Sequence, residues 1–238
     1  MFPSTQPMDA ADSPPSLPPD SAHPATHTAL SSLSPSLLQD LLRFEPAGPQ
    51  RALLEVLAAC VRHTQALAIT VGEPGRAPLV ISVFPTDRQV HCGQPLADVL
   101  GGDLAHLRVL EVQPARWRAS GRTDAHRIDQ PALYAPLGPL LWAVALRGER
   151  DALLPELAGQ AAYRVSPGLS LGGLAVPGAM AACITRLRRR TCNLREISSW
   201  PGVGPERAMR LLNALYLQSG LIVSRTHPAA TNDGWTGY

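Results

Sequence analysis

The chain has 238 residues, of which 45% are hydrophobic and 17% charged, enough to bury a core in one or two domains. No apolar run approaches the roughly 18 residues a membrane helix needs, which excludes a helical spanning protein. Four scattered cysteines with no C-x-x-C pair exclude a small secreted disulfide framework, and a net charge of +2 sets no strong field over the molecule as a whole.

All 21 basic residues are Arg, and with Ala, Leu, Gly and Pro so frequent this is the usage of a GC-rich coding sequence, so any single Arg carries less functional weight. The charge is unevenly spread. Residues 1–180 hold 13 Arg and 16 acids, whereas 181–238 hold 8 Arg and 3 acids, which puts the positive field on the C-terminal part. The N-terminus lacks the basic and apolar regions of a secretory signal, so a cytoplasmic protein with reduced thiols is expected. Residues 1–33, with paired prolines at Pro14-Pro15 and Pro18-Pro19 and few large apolar side chains, are expected to be a disordered tail.

From Ser34 the pattern becomes globular. Ser34-Pro35 caps a short helix through Leu37, Leu38, Leu41 and Leu42, and Leu53, Leu54, Leu57 and Val61 mark an amphipathic helix over 50–63. Alternation at Leu67, Ile69 and Val71, then at Leu79, Ile81 and Val83, predicts two strands joined by the turn residues Gly72 to Pro78. A third strand over 88–92, a helix over 95–104 and a strand over 107–112 complete an α+β layer, a mostly antiparallel sheet covered by helices. Residues 115–136 have no periodicity and are predicted as a long loop. A helix over 140–157 with a break at Arg147-Gly148 and a short strand over 161–165 close a domain spanning 34–165. The Gly/Pro-rich stretch 166–176 is expected to be a hinge between that domain and a unit over 177–226, with 227–238 as a polar tail.

That last unit has the order helix, helix, turn, longer helix, glycine, strand. A helix from Pro177 carries Met180, Ile184 and Leu187. Asn193 caps a second helix through Leu194 and Ile197, and Pro205 opens a third with Ala208, Leu211, Leu212 and Leu215 as its buried face. Through Leu194, Ile197, Ala208, Leu212, Leu215 and Gly220-Leu221-Ile222 it resembles the winged helix-turn-helix superfamily over about 50 residues, with the wing hairpin short or missing. The rival likeness is to helix-hairpin-helix modules, carried by Pro201-Gly202-Val203-Gly204 and Ala208. That resemblance implies a backbone grip on DNA phosphate, but it leaves Gly220 to Val223 unexplained. Tyr163-Arg164-Val165, Ile184, Leu187, Leu194 and Leu221 also look like the tail of bacterial accessory proteins found with small Ras-like GTPases and roadblock-type modules, which implies a protein partner from such a system.

The winged-helix resemblance leaves two functions open. As a DNA regulator, the third helix over 205–219 would read base edges through Arg207, Arg210 and Asn213, with Arg186, Arg188, Arg189, Arg190 and Arg195 on phosphates. As a protein-docking adaptor, Met209 and Leu217 would add the apolar contact that DNA does not need. The adaptor is the expected function and the DNA regulator the alternative, with no cofactor, no metal and no enzymatic activity expected. Asp87, His91 and Cys92 do not converge, because a strand sends neighbours to opposite faces and leaves a core Cys beside an exposed His. Asp103 and His106 have the spacing of a cap or a solvated pair, and Asp124, His126 and Asp129 lack a fourth metal ligand.

Overall fold

The computed structural model describes residues 33–43, 52–73, 75–115 and 133–230. Residues 1–32 of the tail expected over 1–33, most of the loop over 115–136 with its Asp124, His126 and Asp129, and the last residues 231–238 lie outside the described residues, while Leu33 is buried.

Helix α1 (Pro35–Arg43) begins as the sequence requires, with the Leu37 N–H donating to Ser34 Oγ at 3.4 Å. It lays Leu37 and Leu41 against α2 (Leu53–His63), whose residues from Leu53 to Cys60 are all buried. Beyond α2 come three strands in a meander: β1 (Leu67–Gly72), β2 (Leu79–Phe84) and β3 (Gln89–Cys92). A short helix α3 (Leu96–Gly101) then leads back across to β4 (Arg108–Pro114) on the far side of β1. A fifth strand, β5 (Tyr134–Pro136), lies beside β3, so the sheet order is β4-β1-β2-β3-β5 and every pairing is antiparallel. The α+β expectation holds. One correction concerns residues 134–136, which sit in the predicted loop but form an edge strand. At three residues with a closing proline, such a strand carries no alternation to read, and Pro136 is tolerated because it sits at the sheet edge.

Alternation decides which face is filled. Leu67, Ile69, Val71, Ile81, Val83, Val90, Cys92, Val109 and Val112 point inward and are buried. They belong to one hydrophobic cluster with the buried residues of α2 and α4 (Leu137–Arg147). The predicted helix to Leu157 ends instead at Arg147, because Gly148 turns extended and Pro155 follows. Side chains hold much of the stretch that follows, with a main-chain turn at its end where the Leu157 N–H donates to the Leu154 carbonyl at 2.9 Å. Arg150 donates to the carbonyl of Leu153 at 2.6 Å and pairs with the buried Glu55 of α2, whose carboxyl burial holds above the usual range despite that pairing.

The C-terminal elements are β6 (Ala162–Val165), α5 (Gly178–Arg189), α6 (Leu194–Ser198), α7 (Gly204–Leu217) and β7 (Leu221–Ser224). Asn193 caps α6 as expected, its Oδ1 accepting from the Glu196 N–H at 2.8 Å. The strand after α7 is present, but its partner is not a wing strand. β7 pairs antiparallel with β6, upstream of the predicted hinge, and β6 is bridged on its other side by Cys192 through bonds of 2.7 and 3.0 Å. Past β7 the Arg225 guanidinium donates to the carbonyls of Glu156, Ala158 and Gln160, which returns the chain to the segment before β6. One hydrophobic cluster runs from Leu33 to Leu217 across the 166–176 stretch. No helix among the described residues is long and apolar enough to cross a membrane.

Candidate docking surface

The helix expected to carry function, α7, is buried on two opposite sides. One stripe, Ala208, Leu212 and Leu215, is buried as the sequence predicts, and α7 packs on α6. The stripe expected to face outward is closed as well. Arg210 donates from Nη1 to the Gly148 carbonyl at 2.7 Å and from Nε to Glu206 at 2.9 Å. Asn213 is 0% exposed, accepting from the Leu154 N–H at 2.9 Å and donating to the Ala152 carbonyl at 2.9 Å. Ala214 and Leu217 are buried, and Gln218 donates to the Gly138 carbonyl at 2.8 Å. The outward placement of Arg210, Asn213 and Leu217 is therefore corrected. They face α4 and the irregular segment behind it, where exposed main-chain groups need partners that a non-helical stretch does not supply to itself. Met209 is half-buried and packed against the core.

The remaining arginines separate into three pairs. Arg188 and Arg190 are committed locally, the first to the Leu169 carbonyl at 2.8 Å and the second to an ion pair with Glu196. Arg186 lies over the Trp200 ring, 5.4 Å from its centroid, a cation–π contact worth about 0.5–1 kcal/mol at an exposed position. Arg207 donates to the Gly202 carbonyl at 3.1 Å. Arg186 and Arg207 thus flank the turn from Trp200 to Gly204, whose Gly202 and Gly204 take the positive φ of 76° and 66° that the turn requires. Arg189 and Arg195 are exposed on α5 and α6.

No protein-family model, curated protein or solved structure matches the chain.

The outer face of the sheet is the second open area. Val80 is 48% exposed and Leu110 59% exposed, on strands that flank β1. Leu110 leans over β1, since a Cβ on Gly72 would stand 2.7 Å from its Cδ1. A glycine there leaves room for that side chain on the outer face.

The catalytic constellations stay apart. Cys92 points into the core and His91 to the outer face, but His91 is not exposed as expected. It is buried against the Tyr134 ring at 4.7 Å, and burial lowers its pKa. The correction has the same source as the missed strand, because Tyr134 belongs to β5. Asp103 accepts from the Ala105 N–H at 3.0 Å and pairs with exposed His106 at 2.8 Å, and that side-chain bond holds its carboxyl below the usual range. No group of three His, Cys, Asp or Glu among the described residues is placed to hold a metal.

One row, Ser36, His63 and Asp40, has no signature in the sequence. Ser36 Oγ is 3.4 Å from His63 Nδ1, and His63 Nε2 is 2.7 Å from Asp40. Asp40 also receives Arg62, so its charge is already matched and the row acts as a tie between α1 and α2. Ser36 and Asp40 lie one turn apart on α1 and His63 at the end of α2, so no local spacing joins the three.

All four cysteines are buried thiols. Burial pushes Cys60 and Cys183 up to about 12 and Cys92 and Cys192 up to about 11, far from the thiolate needed for nucleophilic chemistry. A disulfide-exchange reagent is expected to find no thiol in the native protein within minutes and all four after denaturation. A fast-reacting native thiol would contradict the burial.

Proposed function

We propose that the protein is a cytoplasmic regulatory adaptor that docks a protein partner through the outer face of its sheet and the Arg-bearing surface of its C-terminal helices. The observation that supports this over base readout is the burial of α7. A recognition helix needs donors free to reach base edges, and the main chain of residues 146–154 occupies Arg210 and Asn213 instead. What stays open suits a protein. Leu110 and Val80 supply apolar contact, and the exposed side chains of Arg186, Arg189 and Arg207 supply positive charge for an acidic partner surface. The Ras-like GTPase system implied by the sequence resemblance is the first partner class to test.

Two measurements test the reading. Duplex DNA titrated with the full chain at low salt is expected to show no saturable binding. Affinity that falls steeply with salt and is lost in Arg186→Glu with Arg207→Glu would sink the adaptor reading. A partner captured by the full chain is expected to be lost on Val80→Glu with Leu110→Glu while the melting temperature holds, and retention in that variant would remove the sheet face from the proposal.

A further inference from the structure

Helix α4 is apolar on nearly every side, and such a helix needs cover all round. Its Leu137, Leu140, Leu141, Val144 and Ala145 are buried in the core. Its other stripe faces a cleft of about 850 Å³ whose opposite wall is the chain from Gly173 to Pro177. Leu100, Trp142, Leu146, Leu174, Val176 and Met180 give that cleft its apolar lining. The wall is fixed in place, because Trp142 Nε1 donates to the Ala175 carbonyl at 3.0 Å, which satisfies the indole and leaves its ring as floor. Among the described residues one charged side chain stands in the lining, Arg147, and no carboxylate does. The Arg147 guanidinium is exposed and donates to the Leu100 carbonyl, while Glu149, the carboxylate closest to it in sequence, is held by Arg108 at 2.8 Å.

We propose that this cleft binds one small amphiphile with an apolar body and a single carboxylate head, the body against Trp142, Leu146, Leu174 and Val176 and the head on Arg147. The size is that of ligand pockets, roughly 300–1,000 Å³, and so is the pattern of apolar walls with one convergent polar group. The guanidinium fork pairs with a carboxylate through two parallel bonds. A cationic head would meet Arg147 and no acid, and a neutral head would leave the charge unanswered.

The test is calorimetric titration of the full chain with decanoate, decanol and decyltrimethylammonium, three probes that share one alkyl chain. Decanoate is expected to bind one per chain, about tenfold or more tighter than decanol, as a charge-assisted bond requires. Decyltrimethylammonium is expected to be weaker still. Arg147→Ala should bring decanoate down to the level of decanol. Leu174→Glu should abolish decanoate binding with an unchanged melting temperature, and if that variant fails to fold, Val176→Glu on the same wall takes its place. Decanoate that fails to saturate, binds at several sites, binds no tighter than decanol, or binds the wall variant at full strength overturns the proposal.

Discussion

Asn213→Ala is expected to destabilise the protein by about 3 kcal/mol, far more than a surface substitution on the same helix. The side chain is fully buried and bonds at both ends, accepting from the Leu154 N–H and donating to the Ala152 carbonyl. Truncation leaves both main-chain groups unpaired in the interior, each worth roughly 1–3 kcal/mol. Asp in its place still accepts from Leu154 but sets a carboxylate against the Ala152 carbonyl, so Asn213→Asp should cost a comparable amount. Arg207→Ala removes one exposed bond to Gly202 and should stay within about 0.5 kcal/mol. Denaturant unfolding of the three variants measures this directly. At this chain length 3 kcal/mol corresponds to a fall of about 6–12 °C in melting temperature. If Asn213→Ala is as mild as Arg207→Ala, Asn213 faces solvent and base readout returns.

The same residue marks where the sequence stopped being legible. Strands β1 and β2 were readable because alternation is local, and so were the Ser34 and Asn193 caps, which need only the next few residues. Long-range pairing was not. β6 and β7 join across three helices, and nothing in either four-residue run names the other. The second face of α7 was misread because Arg210 and Asn213 are polar letters, and polar letters at helical spacing ordinarily mean solvent. Here they pair with the Gly148 and Ala152 carbonyls and the Leu154 N–H past the end of α4, a compensation visible only once α4 and α7 are side by side. Arg186 and Arg207 kept their expected exposure because they sit beside a local turn, not against a distant element. The cleft beside α4 was hidden too, since its walls come from α3, α4 and the stretch before α5.

Residues 166–238 expressed alone are expected to remain unfolded, even though they hold every helix of the winged-helix-like pattern. The fragment lacks β6, so β7 loses its whole ladder and Cys192 loses both bonds to Tyr163. It also lacks α4 and residues 148–157, which cover Asn213, Ala214 and Leu217 and receive the side chains of Arg210 and Gln218. Re-exposing a single buried leucine costs roughly 1.5–3 kcal/mol. Orphaning Asn213 and the edge of β7 adds to that, against a total stability of about 5–15 kcal/mol for a whole domain. A fragment that begins at residue 134 restores α4, the irregular segment and β6 together, and is expected to recover helical circular dichroism and a cooperative melt. Dispersed amide signals from 166–238 alone would make the 166–176 stretch a true domain boundary. Folding only in the longer piece would show that α7 is a core helix of one unit, with its second face committed to α4.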